Sequence, residues 1–326
     1  MMIPNSNVNQ PNSQKKPRRR NHNRRIVDGL LLLDKSPGLT SNQALQRVKR
    51  LYDARKAGHT GSLDPLASGM LPICFGQATK LSGYLLGADK LYEVTAALGA
   101  KTDTADADGQ VTAVAAVKQL SREQLVAALQ DFHGEISQIP PMYSALKKDG
   151  KRLYELAREG KEVPREPRTV HIRELELIEY DPQYPVIRVR CSKGTYIRTL
   201  IEDIAAAAGS LGHVAALRRL AVYPFQEAGL VTFEQLQAAA ELGLDSLDSY
   251  LLPVDEAIAD WPSVYLGRSE AYYLLQGHVV NSATGPEPGL VRLYDEHSRF
   301  LGIGEVMADG RVAPKRLFVE RQTGAA

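Results

Sequence analysis

Hydrophobic and polar residues follow strand-like and helix-like periods along most of the chain. The continuous apolar run at residues 29–33 (GLLLL) predicts a buried strand, and residues 92–98 predict a second one. Residues 170–180 and 186–190 alternate apolar and charged side chains, which is typical of strands with one buried face. Residues 34–38 (DKSPG) predict a turn directly after the first strand.

Helices are predicted by their first residues. A capping-box pair places Ser or Thr three positions before Gln or Glu and marks a helix start. The chain has three such pairs before apolar helical faces: Thr40 with Gln43, Ser121 with Gln124, and Thr232 with Gln235. A fourth helix is expected to follow residue 198 and to stop at Gly209. The elements together predict an α+β fold.

The sequence pattern changes after about residue 250, where short apolar runs are separated by closely spaced glycines. This pattern predicts a small β-rich second domain. We therefore divide the chain into a basic arm at residues 1–25, a first domain at 26–250, a second domain at 251–320 and a tail at 321–326.

Composition and charge add an asymmetry to this picture. With 326 residues and 44% hydrophobic content, the chain is typical of a globular protein of about two domains. Residues 1–25 carry seven basic residues and no acid, whereas the remaining residues have a net charge of −5. Such an arm either contacts a polyanion or acts as a solubilising tail.

Several common kinds of chemistry lack their sequence signatures. There is no phosphate-binding glycine loop and no dinucleotide fingerprint. The histidines are scattered and the two cysteines are far apart, so no zinc spacing exists and reduced thiols are expected. Residues 102–109 resemble a calcium loop but fail at its first and last ligand positions, Thr104 and Ala115, so we interpret them as a polar loop. No apolar run is long enough to cross a membrane, and the polar N-terminus predicts no secretory signal.

One glycine-rich stretch, residues 57–76 (AGHTGSLDPLASGMLPICFG), holds a single carboxylate, Asp64. Pro65 biases the Asp64 backbone toward an extended or turn conformation. The stretch is either a surface turn, for which Asp-Pro is common, or a loop that presents a reactive acid.

Residues 140–168 differ again, because basic residues are interleaved there with Tyr143 and Tyr154 between prolines. This composition suits an RNA-contacting insertion, and the alternative is an amphipathic surface helix with solvated charges.

Five segments in order resemble the tRNA pseudouridine-55 synthases of the TruB family. They are residues 31–42 (LLLDKSPGLTSN), 58–72 (GHTGSLDPLASGMLP), 89–94 (DKLYEV), 140–160 (PPMYSALKKDGKRLYELAREG) and 191–200 (CSKGTYIRTL). The resemblance implies a mixed, largely antiparallel sheet with flanking helices and a C-terminal PUA-like β-barrel domain. It also implies that one uridine of RNA is isomerised to pseudouridine without a cofactor or a metal.

The resemblance also implies roles for individual residues. Asp64 would be the catalytic nucleophile, and Arg198 would hold its carboxylate in a two-point grip. Tyr92 would stack on the uracil and take the C5 proton. Three further residues would support the flipped base or line its pocket: His59, Tyr196 and Leu217. Attack on the ribose C1′, addition to the base and a glycal route all stay open.

Supporting and RNA-contacting roles complete the prediction. Lys35 would steady the active-site architecture. The basic candidates for phosphate contacts in the insertion are Lys147, Lys148, Lys151 and Arg152. The expected partner is the T stem-loop of tRNA, bound by a cytoplasmic monomer with no obligate protein partner and no membrane association. Two alternatives are a relative guided by a separate RNA and an RNA-folding protein with secondary catalytic activity.

Overall fold

The computed structural model describes residues 24–115, 120–227, 229–282 and 287–318. Apart from Arg24 and Arg25, the predicted basic arm lies outside these residues, as does the 321–326 tail. The helices are α1 (Ser41–Leu51), α2 (Ser82–Gly87), α3 (Arg122–Gln130), α4 (Leu153–Arg158), α5 (Ile197–Ala207), α6 (Phe233–Leu242), α7 (Leu244–Asp248) and α8 (Arg268–Leu275). Two 3-10 helices span Gly76–Lys80 and Val254–Ile258.

Most strands belong to two sheets. Those of the first domain are β1 (Gly29–Lys35), β2 (Ala57–His59), β3 (Ser68–Phe75), β4 (Lys90–Leu98), β5 (Ala100–Thr102), β6 (Val111–Val114), β7 (Gly134–Gln138), β8 (Lys147–Lys148), β9 (Lys151–Arg152), β10 (Arg168–Glu179), β11 (Val186–Cys191) and β12 (Gly212–Val222). Those of the second are β13 (Ser263–Leu266), β14 (Val280–Asn281), β15 (Gly289–Asp295), β16 (Phe300–Val306) and β17 (Arg311–Leu317).

The large sheet has the order β1-β3-β12-β4-β11-β10-β7, with β2 paired to β3. Its pairs are antiparallel except for β12 with β3, which are parallel. Side chains from α1, α3, α5 and α6 pack against one face of this sheet in a single apolar cluster. The predicted mixed, largely antiparallel sheet with flanking helices is thus confirmed.

The local predictions hold with shifted boundaries. All three capping boxes form at the starts of α1, α3 and α6. The first strand runs two residues further than predicted, to Lys35, so the expected turn at residues 34–38 begins only at Ser36. Lys35 is therefore a fully buried strand residue rather than a turn residue.

One central strand, β12, has no counterpart among the predictions. Its register against β4 shifts between Val214 and Ala216 and again between Arg219 and Ala221. Each shift is a bulge that adds a residue and breaks the two-residue period. The apolar alternation that identifies a strand is therefore interrupted in β12, although β12 lies in the middle of the sheet.

The second sheet has the order β13-β15-β16-β17-β14, and its β-rich character confirms the prediction for the C-terminal part, although α8 was not predicted. It packs against the first domain: Ile303 shares an apolar cluster with Leu30 and Leu32 of β1. Lys80 Nζ also donates to the carbonyl of Leu317 at 2.7 Å. Within the ranges described, no helix combines the length and the apolar character that a membrane crossing requires.

Candidate active site

The glycine-rich stretch forms β2, a tight loop and β3, and hydrogen bonds hold the loop on both sides of Asp64. Leu63 N donates to Ser41 Oγ at 2.7 Å, and Ser41 Oγ donates to the Leu63 carbonyl at 3.0 Å. On the other side, the Pro65 carbonyl accepts from Gly38 N at 2.8 Å. Both residues next to Asp64 are therefore anchored to other parts of the fold.

The loop does contain the turn that Asp-Pro predicts, because Ala67 N donates to the Asp64 carbonyl at 3.1 Å. The turn and the presented acid are thus compatible. The Asp64 side chain is 42% exposed, so its carboxylate is accessible from solvent.

Arg198, the second residue of α5, meets this carboxylate. Its Nε lies 2.9 Å from Asp64 Oδ2, and its side chain is only 6% exposed. Its Nη1 donates to the Thr104 carbonyl and its Nη2 to the Tyr143 carbonyl, both at 2.8 Å. The predicted two-point grip is not observed: the contact found with the acid is through Nε, while each Nη donates to a backbone carbonyl.

A second carboxylate, Asp106, was missed by the sequence analysis. Its Oδ2 lies 3.6 Å from Arg198 Nε, and it is 5% exposed. The loop of residues 103–110 between β5 and β6 carries it there, because Ala107 N donates to the Val214 carbonyl of β12 at 2.9 Å. The polar-loop interpretation is right for the backbone, but Asp106 points inward. Thr104 Oγ1 donates to its Oδ1 at 2.5 Å.

The surroundings of Asp64 shift its pKa in opposite directions. Loss of hydration raises the pKa of Asp64 above its ordinary value, and the Arg198 charge counters that shift. Asp106 adds a further upward contribution through charge repulsion, and Lys35 a downward one. A carboxylate with a raised pKa is more basic than a free one, which suits a nucleophile or a proton acceptor.

Three of the predicted base-contacting residues lie on neighbouring elements. Tyr92 on β4 is 9% exposed and Leu217 on β12 is 8% exposed. Tyr196 is the N-cap residue of α5, and the buried Gln138 side chain holds its backbone: Tyr196 N donates to Oε1 at 3.1 Å, and Nε2 donates to the Tyr196 carbonyl at 3.3 Å. Burial raises the pKa of both tyrosines, and the charge of Asp64 contributes to each shift.

His59, at the end of β2, is half-buried, and Lys35, at the end of β1, is fully buried; both adjoin the loop. Burial, together with the charge of Arg219, lowers the pKa of His59, so its imidazole is neutral at pH 7. Its Nδ1 is buried without a hydrogen-bond partner. Burial lowers the pKa of Lys35 to about 8, which the Asp64 charge partly opposes. Lys35 Nζ donates to the Ser36 carbonyl at 3.0 Å and lies 3.4 Å from that of Pro65, so it braces the loop.

The basic candidates of the insertion lie apart from this cluster. They form a hairpin, β8 and β9, whose Asp149-Gly150 turn has positive φ at both residues, as tight hairpins require. The short helix α4 follows with Leu153 buried, so an amphipathic surface helix is present in the middle of the insertion, beside the basic hairpin. Lys147, Lys151 and Arg152 are exposed, whereas Lys148 donates to the Pro164 carbonyl at 2.8 Å. The insertion reaches the site through the Tyr143 carbonyl.

Within the described part of the chain, no group of three or more His, Cys, Asp or Glu side chains is placed to hold a metal ion. The site that remains is a half-exposed carboxylate held by a buried arginine, with aromatic side chains on adjacent elements. On a mixed sheet with a second β-rich domain, this arrangement suits an enzyme whose reactive acid meets a substrate ring that can stack on tyrosine.

Comparison with known proteins agrees with that class. Residues 49–197 match the TruB family pseudouridylate synthase N-terminal domain. Residues 198–259 match the tRNA pseudouridylate synthase B C-terminal domain, and residues 262–318 match a further C-terminal domain, that of pseudouridine synthase II TruB. The chain belongs to the TruB family of pseudouridylate synthases.

Individual relatives are similar over almost their whole length. The tRNA pseudouridine synthase B of Ectopseudomonas mendocina is 54% identical, over 90% of this chain and 96% of the relative. The protein of the same name from Pseudomonas aeruginosa is 51% identical, over 90% of this chain and 97% of that one. Among solved structures, a Cbf5-Nop10-Gar1 complex contains a chain that is 26% identical with a TM-score of 0.70, covering 90% of this chain and 86% of that one.

Proposed function

We propose that this chain converts uridine 55 in the T loop of tRNA to pseudouridine. The observation that carries the proposal is the 2.9 Å contact between Asp64, half-exposed on an anchored loop, and the buried Arg198. The similarity to enzymes named tRNA pseudouridine synthase B supports the choice of tRNA as substrate.

The reaction is an isomerisation within one nucleotide. The bond between N1 of uracil and C1′ of ribose breaks, the base turns, and a bond forms between C5 and C1′. The proton on C5 leaves and N1 gains a proton, so atoms and electrons balance without an oxidant, a reductant or a second substrate. We therefore propose that the enzyme uses no cofactor.

Asp64 is the proposed nucleophile, and it must be ionised to act. The Arg198 charge favours the ionised form, while the desolvated surroundings make that form more reactive than it is in water. Attack on C1′, addition to the base and a glycal route would all begin with this carboxylate beside the uridine.

The target uridine must leave its folded loop before Asp64 can reach it. We propose that Tyr92, Tyr196 and Leu217 receive the flipped base, with Tyr92 stacking on the ring and taking the C5 proton. Stacking on an aromatic side chain is worth roughly 1–3 kcal/mol per base. His59, neutral at pH 7, would support the flipped base without adding a charge next to Asp64.

Binding of the T stem-loop would use the insertion. The proposed phosphate contacts are Lys147, Lys148, Lys151 and Arg152, and binding should weaken as salt rises. The basic arm would add non-specific attraction. We assign catalysis to residues 26–250 and a supporting RNA contact to residues 251–320, with Lys35 bracing the catalytic loop.

The main alternative is an enzyme guided by a separate RNA. Similarity to a chain from a Cbf5 complex favours it, but that chain is only 26% identical, against 54% for a relative named for tRNA. The intact basic insertion also suits an enzyme that grips its substrate directly. We therefore propose a cytoplasmic monomer that needs no protein partner or guide.

An unmodified tRNA transcript incubated with the purified protein alone tests this proposal. Carbodiimide treatment followed by reverse transcription should give one new stop, at the T-loop uridine, and a transcript with cytidine there should give none. Product that forms only when a guide RNA or a second protein is added would favour the guided alternative. Faster tRNA folding without any new stop would favour a folding protein.

A further inference from the structure

Arg219 is a buried arginine at the centre of the large sheet. Arg219 is only 1% exposed, whereas the side chain of the preceding residue, Arg218, is 34% exposed. Arg219 Nε donates to the Met70 carbonyl of β3 at 2.7 Å, and its Nη2 donates to the Gly61 carbonyl at 3.0 Å. Gly61 lies between His59 and Asp64, so Arg219 ties the catalytic loop to the sheet.

The sheet register brings Arg219 to Tyr92. The two residues are directly opposite each other on the antiparallel strands β12 and β4. Side chains of opposite residues in such a pair share one face of the sheet and lie about 4.5–5.5 Å apart at Cβ. Burial raises the pKa of the Tyr92 phenol, and the charge of Arg219 opposes that rise, which agrees with a guanidinium beside the phenol.

The backbone is shaped to admit this residue. Gly69 pairs with Arg219 on β3 and has φ of +95°. A Cβ atom at Gly69 would lie 2.2 Å from the Arg219 carbonyl oxygen, closer than any real contact. β12 can therefore approach β3 at the point where the catalytic loop ends only because residue 69 is glycine.

A contribution to stability does not by itself explain why Arg219 is buried. A buried cation loses its hydration, and a paired carboxylate normally compensates for that loss. None of the ion pairs found in the described residues includes Arg219, whereas Arg218 contacts both Asp34 and Glu227 at 3.0 Å. Two backbone carbonyls satisfy donors of Arg219 but not its charge, and a costly buried charge beside reactive groups is typical of functional sites.

We infer that Arg219 is a positioning residue for the proposed isomerisation, on which this inference rests: it holds the loop that carries Asp64 at a fixed separation from the Tyr92 phenol. It does so through the Gly61 carbonyl on one side and the neighbouring strand on the other. Asp64, the nucleophile, and Tyr92, which contacts the base, are then held on two sides of the uridine by one rigid frame, the loop and the sheet. A shift of about 1 Å in such a frame lowers a rate by roughly 100-fold.

The test compares R219K with the matched control R218K by single-turnover pseudouridine formation in tRNA. Lysine keeps the charge but has one donor group, so it cannot reach both carbonyls in the fork geometry. R219K should slow the reaction about 10- to 100-fold, the loss expected for one or more charged hydrogen bonds. R218K should react at the wild-type rate, and both variants should bind tRNA within about twofold of wild type.

A double-variant cycle separates positioning from a general structural effect. If Arg219 acts on the Tyr92 phenol, the R219K change should cost at least about threefold less in a Y92F background than in wild type. Equal costs in both backgrounds, a wild-type rate for R219K, or a rate loss explained by weaker tRNA binding would each overturn the inference. So would an R219K protein that is unfolded at the assay temperature, as shown by urea titration. A wild-type protein that forms no pseudouridine would instead overturn the proposed function itself.

Discussion

Replacing Arg198 with lysine perturbs the site at its most connected residue. The arginine uses three different nitrogens: Nε faces Asp64 at 2.9 Å, and the two Nη groups donate to the Thr104 and Tyr143 carbonyls at 2.8 Å. Lysine keeps the positive charge but has a single ammonium group at the end of a flexible chain. It can stay near Asp64 only by giving up the two carbonyls, which belong to the Asp106 loop and to the insertion.

The magnitude follows from those two contacts. Hydrogen bonds to a charged group contribute about 1.5–3 kcal/mol each, so losing both removes about 3–6 kcal/mol of organisation from the site. If this organisation is needed in the transition state, the rate of pseudouridine formation should fall about 10²- to 10⁴-fold. Binding of tRNA should change far less, because the Arg198 side chain is only 6% exposed and so offers little surface to the RNA.

Single-turnover kinetics with excess enzyme and labelled tRNA measures the rate, and filter binding measures the Kd. Arg218→Lys is the control, since Arg218 is 34% exposed and lies on the other face of the sheet, paired with Asp34. A rate within threefold of wild type for Arg198→Lys would refute the reasoning. A loss confined to Kd would also refute it, because the arginine would then bind RNA rather than organise the acid.

Three further predictions follow from the same geometry. Because the ionised form of Asp64 must react and its pKa is raised, the rate should fall with decreasing pH through a value above 3.8, and Asp106→Asn should move that fall to lower pH by removing a neighbouring negative charge. Gly69→Ala should lower the free energy of unfolding by about 2–4 kcal/mol in urea, whereas Gly58→Ala, with open space around its Cβ position, should change it by less than about 1 kcal/mol. Lys147→Ala should reduce the slope of log Kd against log salt by about 1 if this exposed lysine neutralises a phosphate.

Local sequence signals predicted the elements whose information is local. A capping box is decided by two residues three positions apart, and the boxes at Thr40, Ser121 and Thr232 all form. Regular alternation predicted β11 to within one residue. β12 escaped prediction because its two bulges break the same alternation, although it is the strand that carries Leu217 and Arg219.

In the candidate site, too, features that depend on neighbouring residues could be predicted, and features that depend on distant residues could not. Asp64 could be singled out because its glycines, its proline and its motif are contiguous. Asp106 could not, because its role depends on hydrogen bonds between the loop of residues 103–110 and β12, more than 100 residues away in sequence. Its neighbourhood in sequence resembled a failed calcium loop. The sequence signal that could have identified Asp106 was an acidic residue in a polar loop, because such a loop must pack against a buried element of the fold.

The single contact between Arg198 and Asp64 has a similar origin. The sequence identifies the Arg198 guanidinium and the Asp64 carboxylate as complementary charges. It does not show which other acceptors bind the N–H groups of the guanidinium. The Thr104 and Tyr143 carbonyls occupy both Nη groups, and each belongs to a segment that approaches only in the folded chain. The number of contacts in an ion pair is thus decided by the groups surrounding it.

The most direct test of the account is the activity of Asp64→Asn. Asparagine has nearly the same shape, and it can still meet Arg198, but it has no negative charge with which to attack. We predict that this variant binds tRNA as tightly as wild type and forms no pseudouridine at the T-loop uridine in a single turnover. Pseudouridine formed there by Asp64→Asn at a rate approaching that of wild type would contradict the assignment of Asp64 as the nucleophile.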